Sequence, residues 1–198
     1  MRTTKQGILT TLDASLLPLG FVRREATWNR GVEAMIDVVD IQINKLGDSM
    51  TMNCGVLHPA SYVRCWGRPV PEFVEEPDCT VRARLGQLVD GHDRWWPLDD
   101  PGLAEDMSQQ LVAYGIPFVV GMHSIHAMAQ FLVTTGSVRK RRPPETIYLA
   151  SLKLEGGDSA AACALLHEFR QKAIGAWATS TDEILARFGC SQGTTVER

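Results

Sequence analysis

A chain of 198 residues that is 44% hydrophobic can bury one sizeable core, or a core with a smaller appended unit. Its formal charge of -3 supplies no chain-wide attraction for polyanions, which excludes nucleic acid as an expected partner.

From about Thr4 to Leu17, Ile8, Leu9, Leu12, Leu16 and Leu17 recur on one side of a helix, and Pro18 and Gly20 end it. From Phe21 to Pro59 the period drops to two. Three strands are expected, Phe21–Asn29, Glu33–Asn44 and Ser49–His58, with Asn29-Arg30-Gly31 and Lys45-Leu46-Gly47-Asp48 as the turns between them. Connections this short make neighbouring strands antiparallel. Val39, Ile41 and Ile43 alternate with Asp40, Gln42 and Asn44, and Met50, Met52, Cys54 and Val56 alternate with Thr51 and Asn53. The sheet therefore has an oily face for the first helix to cover and a polar face opposite it.

Ala60–Asp78 contains Pro69, Pro71, Pro77 and the acidic stretch Glu72–Asp78, the composition of a surface excursion of modest order. Cys79–Leu88 returns as a fourth strand, with a helix beginning near Arg84 as the competing assignment. On the strand reading, Val81, Ala83 and Leu85 face the oily side, while Arg82 and Arg84 project beside Asp40, Gln42, Asn44, Thr51 and Asn53. Such an array suits a carboxylate, a phosphate or a partner's backbone; equally, Arg82 or Arg84 can pair with Asp40 on a solvated face. Trp95 and Trp96, just after His92, Asp93 and Arg94, either plug the edge of a core or form a stacking wall.

The remainder reads as helical. Asp100-Pro101 opens a helix towards Ala113, Tyr114-Gly115-Ile116-Pro117 breaks it, and Pro117–Val133 is apolar enough to be buried on most sides. Arg139-Lys140-Arg141-Arg142, ended by Pro143-Pro144, has the character of a solvated linker. Glu145–Glu155 and Ser159–Trp177 form a helical hairpin around Gly156-Gly157, with Asp158 capping the second arm. This hairpin is similar to one tetratricopeptide-type unit, which cannot bury its face alone. Ser180 or Thr181 caps a last short helix through Phe188, and residues from Gly189 onward fray. The expected fold is α+β: a four-stranded antiparallel sheet covered by an N-terminal helix, followed by a mostly helical C-terminal half. Residues 1–135 form the sheet domain and 143–190 a helical hairpin plus short helix packed on it.

The N-terminus interrupts its apolar positions with Lys5, Gln6, Asp13 and Ser15, unlike a signal peptide, and no run reaches the roughly 20 apolar residues of a spanning helix. The five cysteines are odd in number and lack CxxC spacing, a pattern of reduced thiols in a cytoplasm. His123 and His126 have a metal-ligand spacing without a supporting carboxylate or thiol, and Cys54, His58, Cys65 and Cys79 match no structural zinc pattern. There is no P-loop, dinucleotide fingerprint, nucleophile elbow or zincin motif. No catalytic residue, metal or cofactor is expected.

The stretches LLPLGFVRREATWNR, IQINKLGDSMTMNCGV and CTVRARLGQL, followed by DRWW, resemble the bacterial domain-of-unknown-function family numbered 4304 over about Met1–Asp100. The resemblance implies a compact α+β domain with a curved antiparallel sheet and no assigned reaction. Its recurrent polar positions fall here on Gln42, Asn53, Arg82 and Arg84, with Trp95 and Trp96 following. The expected function is binding without catalysis by a cytoplasmic protein, most concretely an immunity protein that occludes a co-produced toxin. Glu72, Glu75, Glu76 and Asp78 would then steer association with that protein partner. The alternative is an anionic small-molecule binder or enzyme using Arg82 and Arg84 as a clamp, and a third reading is an adaptor acting through Leu152, Leu165 and Phe169.

Overall fold

In the computed structural model, which describes residues 5–138 and 141–190, the chain divides into two compact units. One is Met1–Pro59 with Pro71–Ser124, and the other Ala60–Val70 with Ile125–Arg198. The segment Ala60–Val70, which the sequence reading keeps with the sheet, groups with the helices.

In the first unit, period-two patterning produces a meander. Its strands are β1 (Val22–Arg24), β2 (Thr27–Val32), β3 (Met35–Ile43), β4 (Ser49–Leu57), β5 (Val81–Arg84) and β6 (Trp96–Pro97). The order is β1-β2-β3-β4-β5, every pairing is antiparallel, and β5 and β6 lie end to end along the same edge of β4. There are six strands where four were expected, because the chain reverses at Glu25-Ala26, which splits the first, and because Trp96–Pro97 adds a short one; the next reversal falls at Glu33-Ala34. Both glutamates take positive φ, 55° and 51°. Asn29, Arg30 and Gly31 are not a turn. They sit inside β2 opposite Val38, Asp37 and Ile36, held there by the fully buried Trp28 and by an Arg30–Asp37 cross-strand pair.

The N-terminal helix α1 (Lys5–Leu16) buries Ile8, Leu9, Leu12 and Leu16. Lys5 and Ile8 line a small cavity of about 70 Å³ with Ile41, Ile43 and Met50, which places the helix on the oily face as expected. Asp13 on this helix accepts from Trp28 Nε1 at 2.8 Å and from Arg23 Nε at 2.9 Å, tying it to β1 and β2. The segment Cys79–Leu88 divides between its two candidate assignments, since β5 ends at Arg84 and α3 (Leu85–Asp90) begins at the next residue.

The helix expected to stop at Tyr114 continues. After α4 (Leu103–Gln110), with Asp100 Oδ1 accepting from Gly102 N at 2.8 Å, one π turn at Leu111–Gly115 leads into α5 (Ile116–Gly121). Pro117 falls in the first turn of α5, where the wider π turn accommodates its missing N–H. A Cβ on Gly115 would lie 2.7 Å from Leu111 Cδ1 and 2.9 Å from Cys54 Sγ, so only glycine lets this turn seat on β4. The break comes instead at Met122–Ser124.

The second unit contains α2 (Pro59–Trp66), α6 (Ile125–Val138), α7 (Pro143–Glu155), α8 (Ser159–Lys172) and α9 (Ala176–Arg187). The first of these replaces part of the expected irregular excursion. It is ordered by burial of Tyr62 and Cys65 and by Trp66, whose Nε1 donates to Tyr148 OH at 2.8 Å with the rings edge to face. Asp158 caps α8 as expected, accepting from Ala161 N at 3.1 Å. The last helix starts at Ala176 rather than Ser180, because Gly175 (φ 58°) lets the chain reverse and carries Trp177 back onto Phe169. Arg139, Lys140 and the residues after Cys190 lie outside the described residues.

Cys163 and Cys190 form a disulfide, so the expectation of reduced thiols fails for this pair. The two cysteines are 27 residues apart in sequence and meet only through the α8–α9 packing. Cys54, Cys65 and Cys79 remain free and buried. Burial pushes the Cys54 and Cys65 thiols up to about 12, and the Cys79 thiol well above its ordinary value. Chain unfolded without reductant should therefore titrate three thiols, and five after reduction, whereas the native protein should react slowly. Reduction should destabilise the helical unit by about 2–4 kcal/mol in urea unfolding. Unfolding returns the buried thiols to about 9.0, so the unfolded chain loses protons first and stability falls as pH rises from about 9 to 12.

Candidate functional site

Four adjacent strands offer polar residues at one parity, and the register aligns them. Thr27, Asp40, Asn53 and Arg84 form a row across β2 to β5; Gln42 stands opposite Thr51, and Arg82 opposite Gly55. Both arginines therefore share a face with the amides. Thr27 Oγ1 donates to Asp40 Oδ1 at 2.9 Å and Asn53 Nδ2 to Asp40 Oδ2 at 3.3 Å. Asp40 is thus occupied by neutral donors, and neither arginine pairs with it in the described contacts. Arg84 instead donates to Asp93 Oδ2 at 2.5 Å and to Gln42 Oε1 at 3.3 Å, with its guanidinium 5.1 Å from the Trp95 ring centre. Arg82 turns the other way, to Glu76 at 2.5 Å.

Two loops cover parts of this face. The excursion after Pro71 folds back on it: Val74 is fully buried, its N–H donates to Asn29 Oδ1 at 2.7 Å, and its carbonyl accepts from Asn29 Nδ2 at 2.9 Å. Arg24 adds a guanidinium 5.3 Å from the Phe73 ring centre. The second loop, around Asp93–Trp96, is held by Thr51 Oγ1 donating to Arg94 O at 3.0 Å. It passes so close to Gly86 that a Cβ there would lie 2.5 Å from Arg94 Cβ.

These covers sort the candidate residues. Gln42, Glu72 and Glu75 are exposed, and Arg82, Arg84, Trp95, Glu76 and Asp78 are half-buried. Asn53 is 4% exposed and Trp96 2%, so neither can touch a partner directly. Asn53 lies between two strands under the loops. Trp96 pairs with Met50 on the oily side and satisfies its Nε1 on Asp106 at 2.9 Å. Glu76 is committed to Arg82, and Asn44 serves its own turn through Asp48. The expected loose excursion is an ordered cover.

A second polar cluster was not anticipated. Asp37 is fully buried on the oily side, with Oδ2 accepting from Arg30 Nη2 at 2.7 Å and Nε at 3.0 Å, and Oδ1 2.6 Å from His123 Nε2. Arg30 is further fixed by Leu19 O at 3.2 Å and by the Phe21 ring, 4.6 Å away. A signal existed: Asp37 shares the parity of Val39, Ile41 and Ile43, an acid where oil belongs. One carboxylate thus neutralises a cation and anchors the connection after α5. His126 is exposed and belongs to the helical unit. Among the described residues, no group of three or more His, Cys, Asp or Glu side chains could hold a metal, and no single helix is long and apolar enough to cross a membrane.

No curated protein and no solved structure matches the chain. The family described as Domain of unknown function (DUF4304) matches residues 12–116. That span runs from Leu12 of α1 to Ile116 of α5 and takes in every strand, both arginines, and Asp37 with Arg30. With this match spanning more than half its length and the whole of its sheet, the chain belongs to the DUF4304 family.

Proposed function

We propose that the sheet unit binds another protein without catalysis, and that its most concrete role is that of an immunity protein covering the active site of a co-produced toxin. The observation that supports this reading is the state of Arg84. It is held in advance by Asp93, Gln42 and the Trp95 ring while 29% of its side chain stays exposed. An ordered, partly exposed arginine on tryptophan is the usual anchor of a protein interface, because little side-chain freedom is left to lose on binding. The unit also carries sixteen acidic residues against nine arginines and lysines, Glu72 and Glu75 among the exposed ones, which complements a basic cleft.

The clamp for a small anion has less support. Both arginines already face carboxylates, so an anionic ligand would have to displace Glu76 and Asp93. Action in the cytoplasm belongs to the proposal, and the Cys163–Cys190 disulfide weighs against it. Thiol titration of freshly lysed cells would decide that point.

The test is affinity capture of the full chain from its native host, followed by binding kinetics with the recovered partner. Arg84→Ala should weaken the complex about 30-fold or more. Glu72→Gln with Glu75→Gln should slow association and flatten its salt dependence, with dissociation nearly unchanged. Recovery of a bound metabolite in place of a protein, lost in Arg84→Ala, would overturn the reading.

A further inference from the structure

We propose that the helical unit carries a separate site for a small amphipathic carboxylate. Its cleft of about 460 Å³ has apolar walls from Leu165, Phe169, Ile174 and Trp177, with Arg141 and Lys172 as its cations. That volume falls within the roughly 300–1,000 Å³ of small-molecule sites, and the mixture of apolar walls with few charged groups is their usual composition.

Three features set the ligand class. Phe169 and Trp177 meet edge to face, 6.1 Å between ring centres, and form a rigid wall for an apolar body. Ile174 is 83% exposed beside them, an apolar side chain left in solvent at the margin of the cleft. Arg141 lies directly over Gly136, where a Cβ would fall 2.2 Å from its Nε, so the glycine is what lets the guanidinium reach into the cleft. Among the described residues its hydrogen bond is from Nε to Leu132 O at 3.0 Å, and the two terminal nitrogens have the fork geometry that fits a carboxylate.

Charge fixes the sign. Glu168 also lines the cleft and is paired to Lys172 at 2.5 Å; the bond from Lys172 holds its carboxyl below the ordinary range. One acid against two cations leaves a net positive site, and the Glu168–Lys172 pair is largely exposed, so solvent competes for it. A hydrocarbon acid of medium length places its chain on the aromatic wall and its carboxylate on Arg141.

The experiment titrates the full chain with decanoate, and separately with decanol, by calorimetry and by tryptophan emission. Saturable binding of one decanoate is expected. It should weaken about tenfold in Arg141→Gln with Lys172→Gln, remain unchanged in Lys45→Gln of the sheet unit, and exceed decanol binding about tenfold. Lys172 is exposed and Arg141 half-buried with one bond to Leu132 O, so a circular-dichroism melt of the double variant accompanies the titration to establish that it folds. Absence of saturation below millimolar decanoate, equal binding of decanol, or an unaffected double variant would each overturn the proposal. Neither charge variant touches the Arg84 face, and calorimetry together with the response to Arg141→Gln and Lys172→Gln separates this site from the protein-binding reading.

Discussion

Asp37→Ala should lower the stability of the sheet unit by about 3–5 kcal/mol, the cost of removing one partner from a buried ion pair. Asp37 is 0% exposed and Arg30 14%, so the variant leaves a guanidinium largely out of water with Leu19 O and the Phe21 ring in place of its counter-ion. His123 loses its partner at the same time. Natural domains hold only about 5–15 kcal/mol in total, so a large part of the folded margin would be lost. Urea unfolding should show the transition midpoint falling with little change in slope. Replacing both charges, Arg30→Met with Asp37→Leu, should recover most of the loss, because two apolar groups leave no unpaired charge. A fall below about 1 kcal/mol in the single variant would mean that water reaches the pair as freely as it does a surface ion pair.

Trp28→Ala should cost a comparable amount, about 3–5 kcal/mol, through a cavity where the indole now joins β2 to α1. The ring is fully buried and its Nε1 donates to Asp13, which also holds Arg23. Trp28→Phe separates the two contributions. It keeps most of the apolar contact and removes one hydrogen bond, while Asp13 keeps its arginine, so the loss should be only about 1–2 kcal/mol. If the two substitutions destabilise equally, the indole N–H rather than packing secures the helix.

Much of the architecture follows from local pattern. The parity of Val39, Ile41 and Ile43 against Asp40 and Gln42 places β3, and the same alternation puts Arg82 and Arg84 on the face they occupy. The first helix and the Asp158 cap were equally readable, since each depends on residues within a few positions. The misses have long-range causes. Glutamate carries no turn signature, so the reversals at Glu25 and Glu33 were hidden; what fixes them is the pairing of β2 with β1 and β3. The acidic excursion looked loose because its order comes from Asn29, 45 residues away. The disulfide joins Cys163 of α8 to Cys190, which follows α9, 27 residues away in sequence. Asp37 was visible as an anomaly of parity, but its partner His123 lies 86 residues downstream, and no spacing rule connects them.

The excursion between β4 and β5 also constrains how the molecule can be made and divided. The chain leaves the sheet after Leu57, gives α2 to the helices, and returns to complete the ladder at Val81. No single cut therefore yields two whole pieces: a fragment ending at Ser124 would carry α2 with Tyr62 and Cys65 stripped of the helices that bury them. As the polypeptide emerges from the ribosome, that short helix must wait some eighty residues for α7, exposing an oily surface meanwhile. An expression strategy for the sheet alone should therefore replace 60–70 with a short polar bridge rather than simply truncate the C-terminus.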